Sequence, residues 1–181
     1  MIDRYEIRIA GVGGQGAMLA GVVLAEAAIF YEDKYAMQSP TYTSQVRGGP
    51  TKADVIISDK EIIFPRTSKI DFFLSMAQIT YDRYCTDLKD DAIILVDSNL
   101  VPNAVEDKHK IYRLPITEIA REEMGKVVVA NVVALGATMA LTDILKFESM
   151  ENAVLDRVPK AFLDLNKKAL AIGYERAKEI K

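Results

Sequence analysis

Residues 5–16 read Tyr5-Glu6-Ile7-Arg8-Ile9-Ala10-Gly11-Val12-Gly13-Gly14-Gln15-Gly16. In the first half, Ile7 and Ile9 alternate with Glu6 and Arg8, which predicts a strand over 5–10 with one apolar face. The second half fits Gly-x-Gly-x-x-Gly, and an apolar run follows it, predicting a helix over about 14–31. A strand, a glycine loop and a helix in that order open an α/β sheet. Gly11 permits a tight turn. Gly13 and Gly14 let backbone approach a ligand without a Cβ in the way, and Gly16 allows close helix–strand packing. With Gln15 these residues form a candidate anion-accepting loop, because the N–H groups and positive dipole end of a helix start favour phosphate or carboxylate. The spacing alone fits a bound anion and an empty tight turn equally.

A strand is expected over 34–38 and an irregular, hydroxyl-rich loop over 39–50, where two prolines and a glycine pair interrupt regular structure. Residues 53–58 and 61–64 predict a hairpin turning at Asp59-Lys60. Further strands are expected at 71–76, 92–97 and 109–114, with a short helix over 78–88. From Pro115 the pattern is helical, over 117–124, 129–145, 148–158 and 160–181. The last places Phe162, Leu165, Ala169, Ile172 and Ala177 at helical spacing. The expected fold is α/β: a single Rossmann-like domain over 1–181, with a mixed, mostly parallel sheet and a helical C-terminal region.

Half of the 181 residues are hydrophobic and 27% are charged, which suits a packed core and excludes a disordered chain. The 23 basic and 26 acidic residues nearly cancel, so charge makes no case for nucleic acid or an anionic membrane as partner. The single cysteine, Cys85, excludes an internal disulfide, a four-cysteine iron–sulfur cluster and a thiolate zinc site. The single histidine, His109, excludes two-histidine metal motifs. Cys85 reads as a small buried residue and His109 as a solvated one, so no catalytic residue and no metal ligand is assigned. A reducing, cytoplasmic compartment is expected. The N-terminus is charged from Asp3, unlike a secretory signal. The apolar runs 17–25 and 127–141 fall short of the roughly 20 residues of a spanning helix.

A nicotinamide dinucleotide would need an acidic residue at the end of the second strand, and that strand ends at Gln38 and Ser39. The second segment of note is Ser39-Pro40-Thr41-Tyr42-Thr43-Ser44-Gln45-Val46-Arg47-Gly48-Gly49-Pro50. Arg47 before Gly48 and Gly49 suits a bidentate clamp on a phosphate or carboxylate, and Tyr42 adds a stacking face or a hydroxyl.

These two segments together, with Ala53-Asp54-Val55-Ile56-Ile57-Ser58 after them, resemble the gamma subunit of 2-oxoacid:ferredoxin oxidoreductases, most closely the 2-oxoglutarate type. The resemblance spans most of the chain. Tyr42 matches, while Thr43 and Gln45 stand where the family commonly has glycine and an acid. Arg47-Gly48-Gly49, rather than Arg-Gly-Ala, points away from the pyruvate type. The resemblance implies oxidative decarboxylation of a 2-oxo acid, giving an acyl-coenzyme A, carbon dioxide and reduced ferredoxin. It implies partners: alpha and beta subunits and, where one exists, delta, with ferredoxin served by the complex. Thiamine diphosphate, magnesium and iron–sulfur clusters would sit on those partners. This chain would hold none of them and would contact coenzyme A as substrate. Related readings are the beta subunit of indolepyruvate:ferredoxin oxidoreductase and a nicotinamide-dependent oxidoreductase.

The runs 17–30 and 127–145 are unusually apolar. One helix could be covered by the others. The resemblance favours a face that meets another subunit, with Asn131, Gly136 and Thr138 in the seam. Asn131 also reads as a helix-start cap. On the seam reading the isolated chain dimerises or aggregates unless its partners are co-expressed.

Overall fold

The computed structural model describes residues 2–41, 48–106 and 108–181. Strand β1 (Tyr5–Val12) leads through the glycine loop into helix α1 (Ala17–Glu32). Strands β2 (Tyr35–Thr41), β3 (Pro50–Ser58) and β4 (Ile70–Ser75) follow, then α2 (Gln78–Tyr84), β5 (Leu88–Asp97) and β6 (Lys110–Leu114). The rest is helical: α3 (Ile116–Glu122), α4 (Ala130–Thr142), α5 (Phe147–Arg157) and α6 (Leu163–Ile180), with 3-10 turns at Val127–Val129 and Lys160–Phe162.

The sheet order is β2-β3-β1-β4-β5-β6. The pairs β1–β4, β4–β5 and β5–β6 are parallel, while β3 runs antiparallel to both β1 and β2. The expected mixed, mostly parallel sheet with a helical C-terminal region is therefore present. One difference matters for function. In a dinucleotide fold the second strand lies beside the first, which brings its acidic end to the ribose. Here β3 separates β2 from β1, so the end of β2 does not border the glycine loop's own strand.

Three expectations fail for physical reasons. Residues 61–64 form no strand, because β3 has β1 on one side and β2 on the other and offers no free edge to a hairpin partner. The loop expected over 39–50 is shorter: β2 runs on through Pro40, opposite Ala53, and β3 starts at Pro50, opposite Val12. An edge strand and a strand's first residue are the two places where a sheet accepts proline. Helix α2 ends at Tyr84, short of residue 88, since Asp87 turns with a φ of 58° and its carbonyl accepts from Ile70 N–H as β5 begins.

Pleating sorts the side chains. Ile7, Ile9, Val55, Ile57, Phe72 and Leu74 face α1 and the C-terminal helices in one large apolar core. Phe73, Ile94 and Val96 face Tyr81 and Tyr84 of α2 in a smaller one. Helix α4 is buried on every side from Ala130 to Leu141. This corrects the expected seam: Gly136 and Thr138 lie inside the molecule. A Cβ on Gly136 would come within 2.0 Å of the Leu170 carbonyl oxygen, and one on Gly173 within 2.0 Å of that of Val133. Helices α4 and α6 thus meet backbone to backbone. The buried stripe of α6 is Asn166, Ala169, Leu170, Gly173 and Ala177, which leaves Phe162 outside it, 41% exposed. Among the described residues no helix is long and apolar enough to cross a membrane.

Candidate functional site

The carboxyl end of β1 lies beside that of β4, where the chain crosses from one face of the sheet to the other: α1 covers one face and α2 the opposite one. Open α/β sheets bind ligands at such a switch point. Gly11 is the penultimate residue of β1, paired with Thr51, whose hydroxyl donates to the Gly11 carbonyl at 2.9 Å. Gly13 N–H donates to the Gly49 carbonyl at 3.2 Å. That bond joins the glycine loop to the Gly48-Gly49 pair, bringing together two motifs separated by more than thirty positions in the chain. Tyr42 and Arg47 lie outside the described residues.

Gln15 acts inward. Its Oε1 accepts from Val12 N–H at 2.8 Å and its Nε2 donates to the Met76 carbonyl at 2.7 Å. The side chain therefore holds the turn and ties it to the end of β4. Gln15 N–H is taken as well, donated to the Val12 carbonyl at 3.1 Å. The donors left for an anion are other backbone groups. Among the described residues, the N–H groups of Gly14, Gly16, Ala17, Met18 and Leu19 have no backbone acceptor, and no side chain caps α1. Gly14 sits at φ 100° with open space where a Cβ would stand, and Gly48 at φ 74° likewise. Gly16 is the N-cap of α1 at φ 75°. A Cβ there would strike Asn131 Nδ2 at 2.7 Å.

Sequence reasoning offers Asn131 as a cap or a seam residue, and the cap reading is corrected. The N-cap of α4 is Val129, and Asn131 lies in the first turn, 6% exposed, with its amide against the glycine loop. Beside it opens an apolar cleft of about 350 Å³ between α1, the start of α4, the end of α5 and the 160–162 turn. Thr51 and the cleft were also missed, since both depend on long-range packing. A lone asparagine entering an apolar run was the only available signal.

Cys85 and His109 sit on the opposite face, in a groove near α2. Burial pushes the Cys85 thiol up, which keeps it protonated and inert at neutral pH. His109 Nε2 lies 3.0 Å from the Lys89 carbonyl. Among the described residues no group of three His, Cys, Asp or Glu side chains is arranged to hold a metal ion. One thiol in the whole chain cannot complete a four-cysteine iron–sulfur cluster.

Residues 6–176 match the model of the pyruvate ferredoxin/flavodoxin oxidoreductase family. The 2-oxoglutarate synthase subunit KorC of Methanocaldococcus jannaschii is 45% identical over 98% of this chain and 96% of that protein. The crystal structure of the keto/oxoacid ferredoxin oxidoreductase gamma subunit from Geobacter sulfurreducens superposes with a TM-score of 0.91 at 44% identity, covering 98% of each chain. The 2-oxoglutarate:ferredoxin oxidoreductase from Magnetococcus marinus, solved with 2-oxoglutarate, coenzyme A and succinyl-CoA bound, contains the same fold. It has a TM-score of 0.89 at 21% identity, over all of this chain and 32% of that one.

Proposed function

The chain belongs to the pyruvate ferredoxin/flavodoxin oxidoreductase family and is a gamma-type subunit of an oxidoreductase complex; on that premise we propose that its complex oxidises 2-oxoglutarate and that its glycine loop binds coenzyme A. The substrate follows the M. jannaschii relative, a 2-oxoglutarate synthase subunit that matches along nearly the whole chain. The observation that carries the coenzyme A reading is the Gly13–Gly49 bond. It sets two glycine segments side by side at the open start of α1, where free N–H groups and the helix dipole favour a diphosphate.

In this reading the chain is one domain over 1–181 of a cytoplasmic assembly. Gly11, Gly13, Gly14, Gln15 and Gly16 build the cradle, with Gln15 bracing it from inside. Gly48 and Gly49 close its other side, Arg47 supplies the guanidinium and Tyr42 a further contact. Alpha and beta subunits, and delta where present, carry thiamine diphosphate, magnesium and the clusters, and pass electrons to ferredoxin. This chain contributes no catalytic residue. The nicotinamide reading lacks both the acidic residue and the strand adjacency it requires.

The test uses the purified complex with 2-oxoglutarate, pyruvate and 2-oxoisovalerate in turn, following reduction of ferredoxin. The highest kcat/KM should fall on 2-oxoglutarate. Arg47→Ala should raise the KM for coenzyme A about tenfold, the loss of one charge-assisted contact, while the KM for the 2-oxo acid stays put. An unchanged KM for coenzyme A removes Arg47 from the site.

A further inference from the structure

The sheet face opposite α1 carries an exposed feature at the end of β1 away from the glycine loop. Residues 59–69, between β3 and β4, lie over this face as a strap. The Arg4 guanidinium donates to the carbonyls of Phe64 and Arg66 at 2.9 and 2.7 Å. The Ser39 hydroxyl of β2 donates to the Pro65 carbonyl at 3.3 Å, and the Thr67 hydroxyl to the Asp54 carboxylate of β3 at 2.9 Å. Glu6 of β1 accepts from Ser68 and Lys69 N–H at 2.6 and 3.0 Å. A strap so tied holds its side chains where they stand, and two of them are large, apolar and in solvent: Ile63 is 90% exposed and Phe64 59%. Beside them on β2, Tyr35 and Met37 are exposed too. Gln38 Nε2 reaches the Met18 carbonyl of α1, so alternation turns Tyr35 and Met37 to the strap's face. Four large apolar side chains gathered in one place, two of them on a fixed backbone, mark a docking surface.

Charge decides what covers it. Arg66 and Lys69, both exposed, have no carboxylate partner among the described residues. Lys34, Lys60 and Arg4 nearby are each paired, with Asp59, Asp3 and Glu6. Glu61 is the one exposed carboxylate of the strap without a partner among the described residues, so the patch keeps a surplus cation. A second copy docked about a two-fold axis would bring that surplus against its own image, at a cost in energy. Pro40 also blunts β2 as an edge for pairing with another strand. A different chain that offers carboxylates gains from the same charges. We propose that Ile63, Phe64, Tyr35 and Met37 dock another subunit of this chain's own oxidoreductase complex, which takes the strap in an apolar groove bordered by acidic side chains facing Arg66 and Lys69. The inference rests on the chain's being a gamma-type subunit and not on the coenzyme A reading. Little ordering is required on docking, because the ties already hold the strap, so Ile63 and Phe64 act as preformed anchors. From Glu6 to Val12 β1 spans roughly 20 Å, which separates these contacts from the glycine loop.

Binding of the purified full-length chain to the remaining subunits of the complex tests this. Ile63→Asp with Phe64→Asp should leave the chain's own melting temperature where it was, since both side chains stand in solvent, and should weaken its binding at least about a hundredfold. Arg66→Glu with Lys69→Glu should weaken binding about tenfold at low salt, and the difference from the unmodified chain should shrink at high salt. Unchanged binding of the Ile63→Asp, Phe64→Asp chain overturns the proposal. A fall in that chain's own melting temperature also overturns it, because the two side chains then belong to the fold. So does an unmodified chain that self-associates while the variant, now monomeric, still joins the complex, since the occupant is then a second copy. Complexes assembled with an excess of the Arg66→Glu, Lys69→Glu chain should keep the unmodified KM for coenzyme A, whichever way the Arg47→Ala test falls.

Discussion

The two faces of the sheet are held by opposite means. Against the C-terminal helices the interior is hydrocarbon, and α4 and α6 touch main chain to main chain. The other face buries charge. Arg8 donates two bonds to the Asp54 carboxylate, at 2.8 and 3.2 Å, and two to the carbonyls of Tyr84 and Thr86. Lys52 and Thr67 also reach Asp54, and the buried Glu6 accepts from Ser68 and Lys69 N–H. Short α2 cannot cover six strands, so charged side chains fill the uncovered area and satisfy one another. The helical face should therefore tolerate polarity poorly and the charged face should tolerate only paired changes.

The largest effect expected is at the helix crossing. Gly136→Val drives a side chain into the Leu170 carbonyl, with backbone on both sides unable to give way. We expect a loss of at least about 3 kcal/mol, or no folded protein, by urea denaturation; an unchanged midpoint would mean the helices do not touch. On the other face, Arg8→Ala should cost about 3 kcal/mol, because the buried Asp54 loses the partner that reaches both its oxygens and keeps only Lys52 and Thr67. The double variant Arg8→Met with Asp54→Leu should recover most of that, and failure to recover would show that the network does more than neutralise itself. Between the faces, Gln15→Ala strands the Val12 N–H and the Met76 carbonyl and should cost about 1–3 kcal/mol.

Acid should separate the faces more gently. Burial pushes the Asp54 carboxyl up, but the hydrogen bonds and charges of Arg8 and Lys52 outweigh it and hold it below the usual aspartate range. A carboxyl lowered on folding contributes stability that is complete above its unfolded pKa and lost as pH falls through the folded one. Stability should thus decline below about pH 4. This loss should be reduced in the Arg8→Met, Asp54→Leu variant, as followed by thermal melts. The smallest effect belongs to the exposed Lys60–Asp3 pair, where Lys60→Ala should leave the melting temperature unmoved.

The chain announces its outline plainly. The glycine loop sits at the β1–α1 junction, the apolar run 92–97 is a strand paired on both sides, and the helical tail is where periodicity puts it. What stays hidden depends on partners distant in sequence. Alternation identifies Glu6 and Arg8 as the polar side of β1 but cannot show that Asp54 and a loop would bury them. Residues 61–64 look like a strand, and only the sheet order shows that no edge remains for them. The apolar stretch of α4 suits a docking face as well as a central helix, and glycines facing each other across two helices decide for the latter. In the candidate site the loop glycines were legible from spacing. The inward role of Gln15 and the place of Asn131 were not, since each is set by the other side of a fold not yet formed.

The crossing of α4 and α6 has a consequence for the glycine loop. Glycine at 136 and at 173 brings the two main chains together where a Cβ would stand 2.0 Å from a carbonyl oxygen, so α4 has little room to slide or turn there. Asn131 rides on that helix and meets Gly16 at the start of α1, so the footing of the loop is as stiff as the crossing.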